Sequence, residues 1–203
     1  MQSETARVEA FSDGIFAIAI TLLILEIKVP KHDAGPLSVA LLRQWPSYVA
    51  FLLSFAYIGV MWINHHRMFT YIRRSTDLLL SLNLLLMLGV TVVPFPTAVL
   101  AEHLDGPDAR TAALLYNATF VLIAVVFNLL WRYAVRRGLL HEATLAAAMN
   151  ISSQYAVGPL MYLACFVIAW FNVRASVAAN VALALYFALP PSIMKKRPQA
   201  HDH

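Results

Sequence analysis

Cysteine is almost absent from this chain. Its one thiol, Cys165, stands inside an apolar run, which excludes an intramolecular disulfide and suits a small packing residue. Charge is scarce too. Asp, Glu, Lys and Arg together supply 13% of the 203 residues, about half the share expected of a soluble domain. The surplus of +4 is divided among short clusters between apolar runs, which serves membrane topology and gives nucleic acid no continuous basic surface. There is no phosphate loop, dinucleotide fingerprint or serine nucleophile motif. An enzyme therefore has no residue to rest on, and no cofactor is expected. His65 and His66 are adjacent, so on a helix they point about 100° apart, unlike the i, i+4 pair of a zinc motif. No Glu lies between them and no Cys is near. His32, His103, His141, His201 and His203 fall in loops or the tail without regular spacing, so no metal centre is expected. A cleavable leader does not fit either: the first apolar stretch is too long and follows Glu4, Arg7 and Glu9.

What the chain has in abundance is apolar length, with 60% of its residues hydrophobic. Six apolar segments stand out, roughly 8–29, 45–64, 77–100, 111–132, 151–172 and 175–193, and each is long enough to span a ~30 Å hydrocarbon core. The expected fold is an all-α membrane protein of six transmembrane helices, a single domain over residues 1–203 without room for a soluble module. Trp45, Trp131, Tyr133, Trp170 and Phe171 mark segment ends in the manner of interfacial aromatic belts. Pro94 and Pro96 predict a kink or end in the third segment, Gly158-Pro159 a bend in the fifth, and Pro190-Pro191 closes the sixth. With the amino terminus inside, Arg7, Arg67, Arg73, Arg74, Arg132, Arg136, Arg137, Lys195, Lys196 and Arg197 fall on the cytoplasmic side. That is ten of the 15 Lys and Arg, leaving Lys28, Lys31, Arg43, Arg110 and Arg174 outside, so both termini read as cytoplasmic. Each basic cluster could also meet anionic lipid headgroups, although topology alone accounts for it. Glu102, Asp105 and Asp108 gather in one outer loop and would attract cations to that face.

The first segment, RVEAFSDGIFAIAITLLILEI from Arg7 to Ile27, is the most informative. It carries no charge from Gly14 to Leu25, yet Arg7, Ser12 and Asp13 sit at its entrance, where polar groups are costly unless paired with other helices. Ile18, Leu22 and Leu25 share one stripe, and Asp13 lies about 140° from Ile18, so the polar entrance and the apolar stripe face differently.

Arg7, Phe11, Ser12 and Asp13 together spell R-x-x-x-F-S-D at the head of this helix. The motif fixes four residues, their spacing and their place, and it resembles the transmembrane protein 175 family of potassium channels, prokaryotic branch. Eukaryotic relatives carry two six-helix repeats. Here the F-S-D triplet occurs once and no internal repeat is found. So small a bundle hardly encloses a pore of its own, so a channel requires symmetric assembly about an axis. The resemblance implies a homotetramer in a prokaryotic plasma membrane, with helix one lining a central pore that passes potassium ions passively.

In that family an isoleucine or leucine at the place of Ile18 forms the narrowest constriction, and the neighbouring turn contributes to selectivity. The resemblance carries this over to Ile18, Thr21, Leu22 and Leu25. Rings of Ile and Leu suit a hydrophobic filter or gate, since a pore can close there by dewetting, and nothing like a T-V-G-Y-G carbonyl cage exists in the chain. Glu26, at the outer end, either forms a carboxylate ring at the pore mouth or pairs locally with Lys28 or a loop residue. For Arg7, Phe11, Ser12 and Asp13 the expected role is structural, holding helix one against its neighbours. Trp62, His65 and His66 on the second helix are the candidate partners, and Asn83 on the third is a further one. A proton-coupled transporter or proton-permeable pathway using Asp13 and His65 or His66 is the alternative, and a non-conducting membrane scaffold is a second.

Overall fold

The computed structural model describes residues 5–32, 35–145 and 148–188. Helices dominate, as α1 (Ala6–Leu22), α2 (Leu37–Arg43), α3 (Trp45–Tyr71), α4 (Asp77–Val92), α5 (Pro94–His103), α6 (Ala109–Arg136), α7 (Glu142–Leu145), α8 (Ala148–Phe171) and α9 (Val173–Ala188). A 3-10 turn, Leu23–Glu26, extends α1. Among the described residues, five stretches are long and apolar enough to cross a membrane: Ala6–Glu26, Trp45–Tyr71, Asp77–His103, Ala109–Arg136 and Ile151–Phe171. The chain is thus a multi-pass membrane protein. The sixth segment appears as the 16-residue α9, which at 1.5 Å per residue reaches about 24 Å, short of a full core thickness. Its expected close at Pro190-Pro191, with Lys195, Lys196 and Arg197, lies outside the described residues.

Successive spans run up and down, so two ends can be told apart. One end gathers the start of α1, the end of α3 and the start of α4. There Gly138, at φ +63, stops α6. Gly138 N–H donates to the Val135 carbonyl and Leu139 N–H to that of Ala134, at 3.1 and 3.0 Å, the paired bonds by which a left-handed residue closes a helix. The chain then pairs across to the α3–α4 connection through an antiparallel bridge between Ile72 and Leu140. That bridge brings the backbone N–H groups of Arg73 and Arg74 to the Leu139 carbonyl, at 2.8 and 3.4 Å, two and three residues along the chain from Arg137 and Arg136.

The core runs through the long helices, Leu86, Met87 and Val90 of α4 included, and within it Tyr57 of α3, Tyr116 and Phe120 of α6 and Tyr162 of α8 brace one another at ring separations of 4.8 to 5.8 Å. The helix α1 stands at the edge, against α3 and α4, while its 3-10 extension meets α3 and α5. The approach of α4 to α6 depends on Gly89, because a Cβ there would fall 2.8 Å from Ile123 Cγ1. Gly89→Leu is expected to separate these helices at a cost of about 1–3 kcal/mol. A lower midpoint of thermal unfolding in detergent would register it, and an unchanged midpoint would place the tight contact elsewhere.

The prolines act differently from one another. Pro94 cannot donate to the Val90 carbonyl, which instead takes the Val93 N–H at 3.2 Å, so the helix kinks between α4 and α5 and then continues as one span. Pro159 lies inside the continuous α8 and robs the Tyr155 carbonyl of its usual donor. Asn128 of α6 supplies a replacement, donating from Nδ2 to Tyr155 O at 2.7 Å and to Ala124 O at 3.0 Å. Asn128→Leu is therefore expected to destabilise by about 1–3 kcal/mol. Adding Pro159→Ala returns a backbone N–H to Tyr155 and should recover most of that loss. Additive losses in a double-variant cycle of thermal unfolding would refute the pairing.

Candidate functional site

Two opposed seams run along α1. Ser12, Phe16, Ala19 and Leu23 are buried against the bundle at 0–3% exposure. On the far side Arg7, Phe11, Gly14, Ile18, Thr21 and Leu25 follow one another at alternating four and three residues, and all are exposed. That spacing repeats on average every 3.5 residues, the period of a helix that packs along its length against other helices. Phe11 is 56% exposed, Ile18 61% and Leu25 65%, so the large apolar side chains here are left mostly uncovered by their own chain. Leu22 flanks the seam, and Thr21 donates its hydroxyl to the Ile18 carbonyl at 2.9 Å.

Glu26 goes another way. The 3-10 turn winds it by about 120° per residue instead of 100°, and it comes to line a cleft with Lys28, Arg43, Gln44, Glu102 and Asp105. Lys28 pairs there with Glu102 of α5, which holds the ammonium pKa above its ordinary value. Its salt-bridge partner is thus on another helix.

The buried side of α1 is anchored through polar groups. Asn83 of α4 donates from Nδ2 to Ser12 Oγ at 3.0 Å, which leaves its Oδ1 to accept from His65 Nε2 at 2.8 Å. His65 consequently carries a hydrogen on Nε2, and its buried Nδ1 has no partner among the described residues. Ser12 passes its own hydrogen to the Val8 carbonyl at 2.8 Å. Phe69 stacks on the His65 ring at 4.5 Å and Phe16 meets it edge-on at 5.4 Å. Outside this buried chain, Trp62 Nε1 donates to Asp13 Oδ1 at 2.9 Å, and His66 Nδ1 meets Glu9 Oε1 at 2.5 Å.

Glu9 is the member that the motif did not point to. A signal did exist: Glu9 and Asp13 are four residues apart, as are Trp62 and His66, so the two pairs form successive rungs between α1 and α3. The structure also divides the motif. Ser12 and Asp13 turn to α3 and α4, while Arg7 and Phe11 stay outside this anchor. Both line an open cleft between α1 and α4 with Ser75, Leu80 and Leu84. Residues 7 and 11 are about 40° apart on a helix, whereas residue 12 lies about 100° from residue 11.

A second polar network was not singled out in the sequence. Tyr57 donates to Asn180 Oδ1 at 2.8 Å, Asn180 to Asn117 Oδ1 at 3.0 Å, Asn117 to Ser176 Oγ at 3.2 Å, and Ser176 to the Cys165 carbonyl at 2.8 Å. Nearby, Ser54 bonds both Thr97 and Tyr116. These groups tie α9 to α3, α6 and α8. The available signal was two isolated asparagines inside apolar runs, where an amide needs a partner.

The geometry has clear relatives. Residues 7–94 match the family model described as endosomal/lysosomal potassium channel TMEM175. A potassium channel of Chamaesiphon minutus is 51% identical over 193 residues, covering 93% of this chain and 95% of the relative. A potassium channel of Streptomyces collinus is 46% identical over 189 residues, 91% of this chain and 92% of that one. Among solved structures, the crystal structure of a lysosomal potassium-selective channel TMEM175 homolog from Chamaesiphon minutus superposes with a TM-score of 0.86 at 50% identity. It covers 92% of this chain and 97% of its own. With such similarity over nearly the whole length, this chain belongs to the TMEM175 family, a family of channels and not of enzymes.

Proposed function

We propose that this protein is a potassium-selective channel, assembled as a homotetramer about an axis lined by α1, conducting passively and without a cofactor. The observation that carries the reading is the uncovered seam of α1, apolar and heptad-spaced, on a helix whose other side is anchored by Ser12 and Asp13. Ile18 forms the narrowest ring, with Thr21, Leu22 and Leu25 contributing to the constriction and its selectivity. Glu26 lies at the mouth, in the cleft it shares with Glu102 and Asp105. Residues 1–203 act as one channel-forming domain. Both termini face the cytoplasm of a prokaryotic cell, and the protein resides in the plasma membrane. The arginines gathered around the Ile72–Leu140 bridge support that orientation.

The proton route is the weaker reading. Asp13 bonds Trp62 and neither histidine, and the chain from His65 ends on a backbone carbonyl, which accepts a hydrogen bond but relays no proton. Purified protein in liposomes tests the proposal, with potassium and sodium flux compared and the subunit number read by native mass spectrometry. Potassium-preferring flux from a tetramer is expected. Saturable flux that tracks the pH gradient, or no flux from a verified oligomer, would reject it.

A further inference from the structure

Away from the α1 seam, between α3, α6, α8 and α9, lies a cavity of about 90 Å³. Its walls are aromatic and aliphatic, including Phe120, Ile123, Phe127 and Phe187. Three contacts keep them from collapsing inward. Tyr155 meets Phe127 and Trp131 edge-on at 5.0 and 5.3 Å, and Tyr162 meets Tyr57 at 5.2 Å. Gly158 lines the cavity as well, and a Cβ added to it would meet nothing within 4 Å.

Among the polar groups on this wall, Tyr162 and Asn128 offer a guest complementary atoms. Tyr162 is 6% exposed, yet its hydroxyl has no hydrogen-bond partner among the described residues. Asn128, 8% exposed, spends its Nδ2 on the Ala124 and Tyr155 carbonyls, which leaves Oδ1 without a donor among the described residues. One group thus has a hydrogen to give and the other a lone pair to fill. A guest that supplies both an acceptor and a donor can bond the two together. A hydroxyl does both. The apolar remainder of the wall favours a carbon chain over a water cluster, and a cavity of about 150 Å³ is known to hold benzene, so this smaller space suits a slimmer guest.

We infer that this cavity is a binding site for a short-chain alcohol, the guest's hydroxyl bridging Tyr162 and Asn128 and its alkyl group lying against Phe120, Phe127 and Phe187. The site is independent of the pore reading, since it lies inside one subunit and uses no residue of the α1 seam.

The test is photolabelling of the purified full chain with a diazirine derivative of n-butanol, with adducts located by peptide mass spectrometry and excess n-butanol as competitor. Adducts on peptides holding Tyr155 or Tyr162, suppressed by the competitor, are expected. Gly158→Leu fills the space and should reduce that labelling at least tenfold. Tyr162→Phe removes the hydroxyl alone and should raise the competing butanol concentration severalfold. Should the leucine variant fail to fold, the phenylalanine variant decides. Labelling that butanol does not compete, or that is the same in wild type and Tyr162→Phe, would overturn the site, as would a cavity holding water only and giving no adduct.

Discussion

Replacing Ile18 by Asn is expected to lower the preference for potassium over sodium by about tenfold or more, equivalent to about 1.4 kcal/mol of discrimination. A ring of isoleucines offers an ion nothing in place of its hydration shell, so the cost of passage depends on how readily each ion sheds or reshapes that shell. An amide ring supplies both donors and acceptors and keeps the constriction wet, and that dependence is lost. Reversal potentials under bi-ionic conditions measure the effect. Ile18→Leu, which keeps an apolar ring of equal carbon count, should preserve the preference and serves as control. If both variants reverse where the wild type does, discrimination happens elsewhere along α1, and the exposure of Ile18 reflects contact with lipid.

The second large effect is expected at Asn83, on the covered side of the same helix. Asn83→Leu leaves the Nε2–H of buried His65 without an acceptor and Ser12 without its donor. Each abandoned group costs about 1–3 kcal/mol, so the fold should lose roughly 2–6 kcal/mol in all. Bonds between membrane helices average nearer about 0.6 kcal/mol, which sets the lower bound when the loosened groups find other partners. The loss should appear as a lower unfolding midpoint and a smaller share of assembled oligomer on size exclusion. Ion preference in whatever assembles should be unchanged. The paired variant His65→Phe with Asn83→Leu removes donor and acceptor together and should regain most of the stability, since two apolar partners leave nothing unsatisfied. A pair that behaves as the sum of its parts would mean that the anchor is held by packing, with the hydrogen bonds incidental.

These two residues show where sequence reasoning reached and where it stopped. The R-x-x-x-F-S-D motif was legible as a unit, because its residues are polar or aromatic where the rest of the run is aliphatic. That it serves two directions was not legible, since a motif records spacing and only neighbours decide which side is covered. Trp62, His65 and His66 could be named as partners from their position one span later. The assignment of Trp62 to Asp13, His65 to Asn83 and His66 to Glu9 needed the relative rotation of α1, α3 and α4. The direction Glu26 takes was not legible for a local reason: the tightening of Leu23–Glu26 into a 3-10 turn changes the angle per residue, and LILE carries no residue that announces it. The Asn128 repair of the Pro159 break joins residues on two helices and has no trace in either segment alone.

Run length, composition and the placement of basic residues by themselves determined that the chain is helical, crosses a membrane repeatedly and keeps most of its charge at helix ends and in the connections. These follow from the cost of exposing backbone groups and charges to hydrocarbon, which every segment must meet on its own. Tertiary structure alone decided which side of α1 is covered. The helix is apolar all round, with Phe16, Ala19 and Leu23 on one side and Phe11, Ile18 and Leu25 on the other, so hydrophobicity cannot choose between them. The choice was made by Ser12 and Asp13, whose hydrogen bonds have partners on α3 and α4 and would have none if α1 were turned the other way.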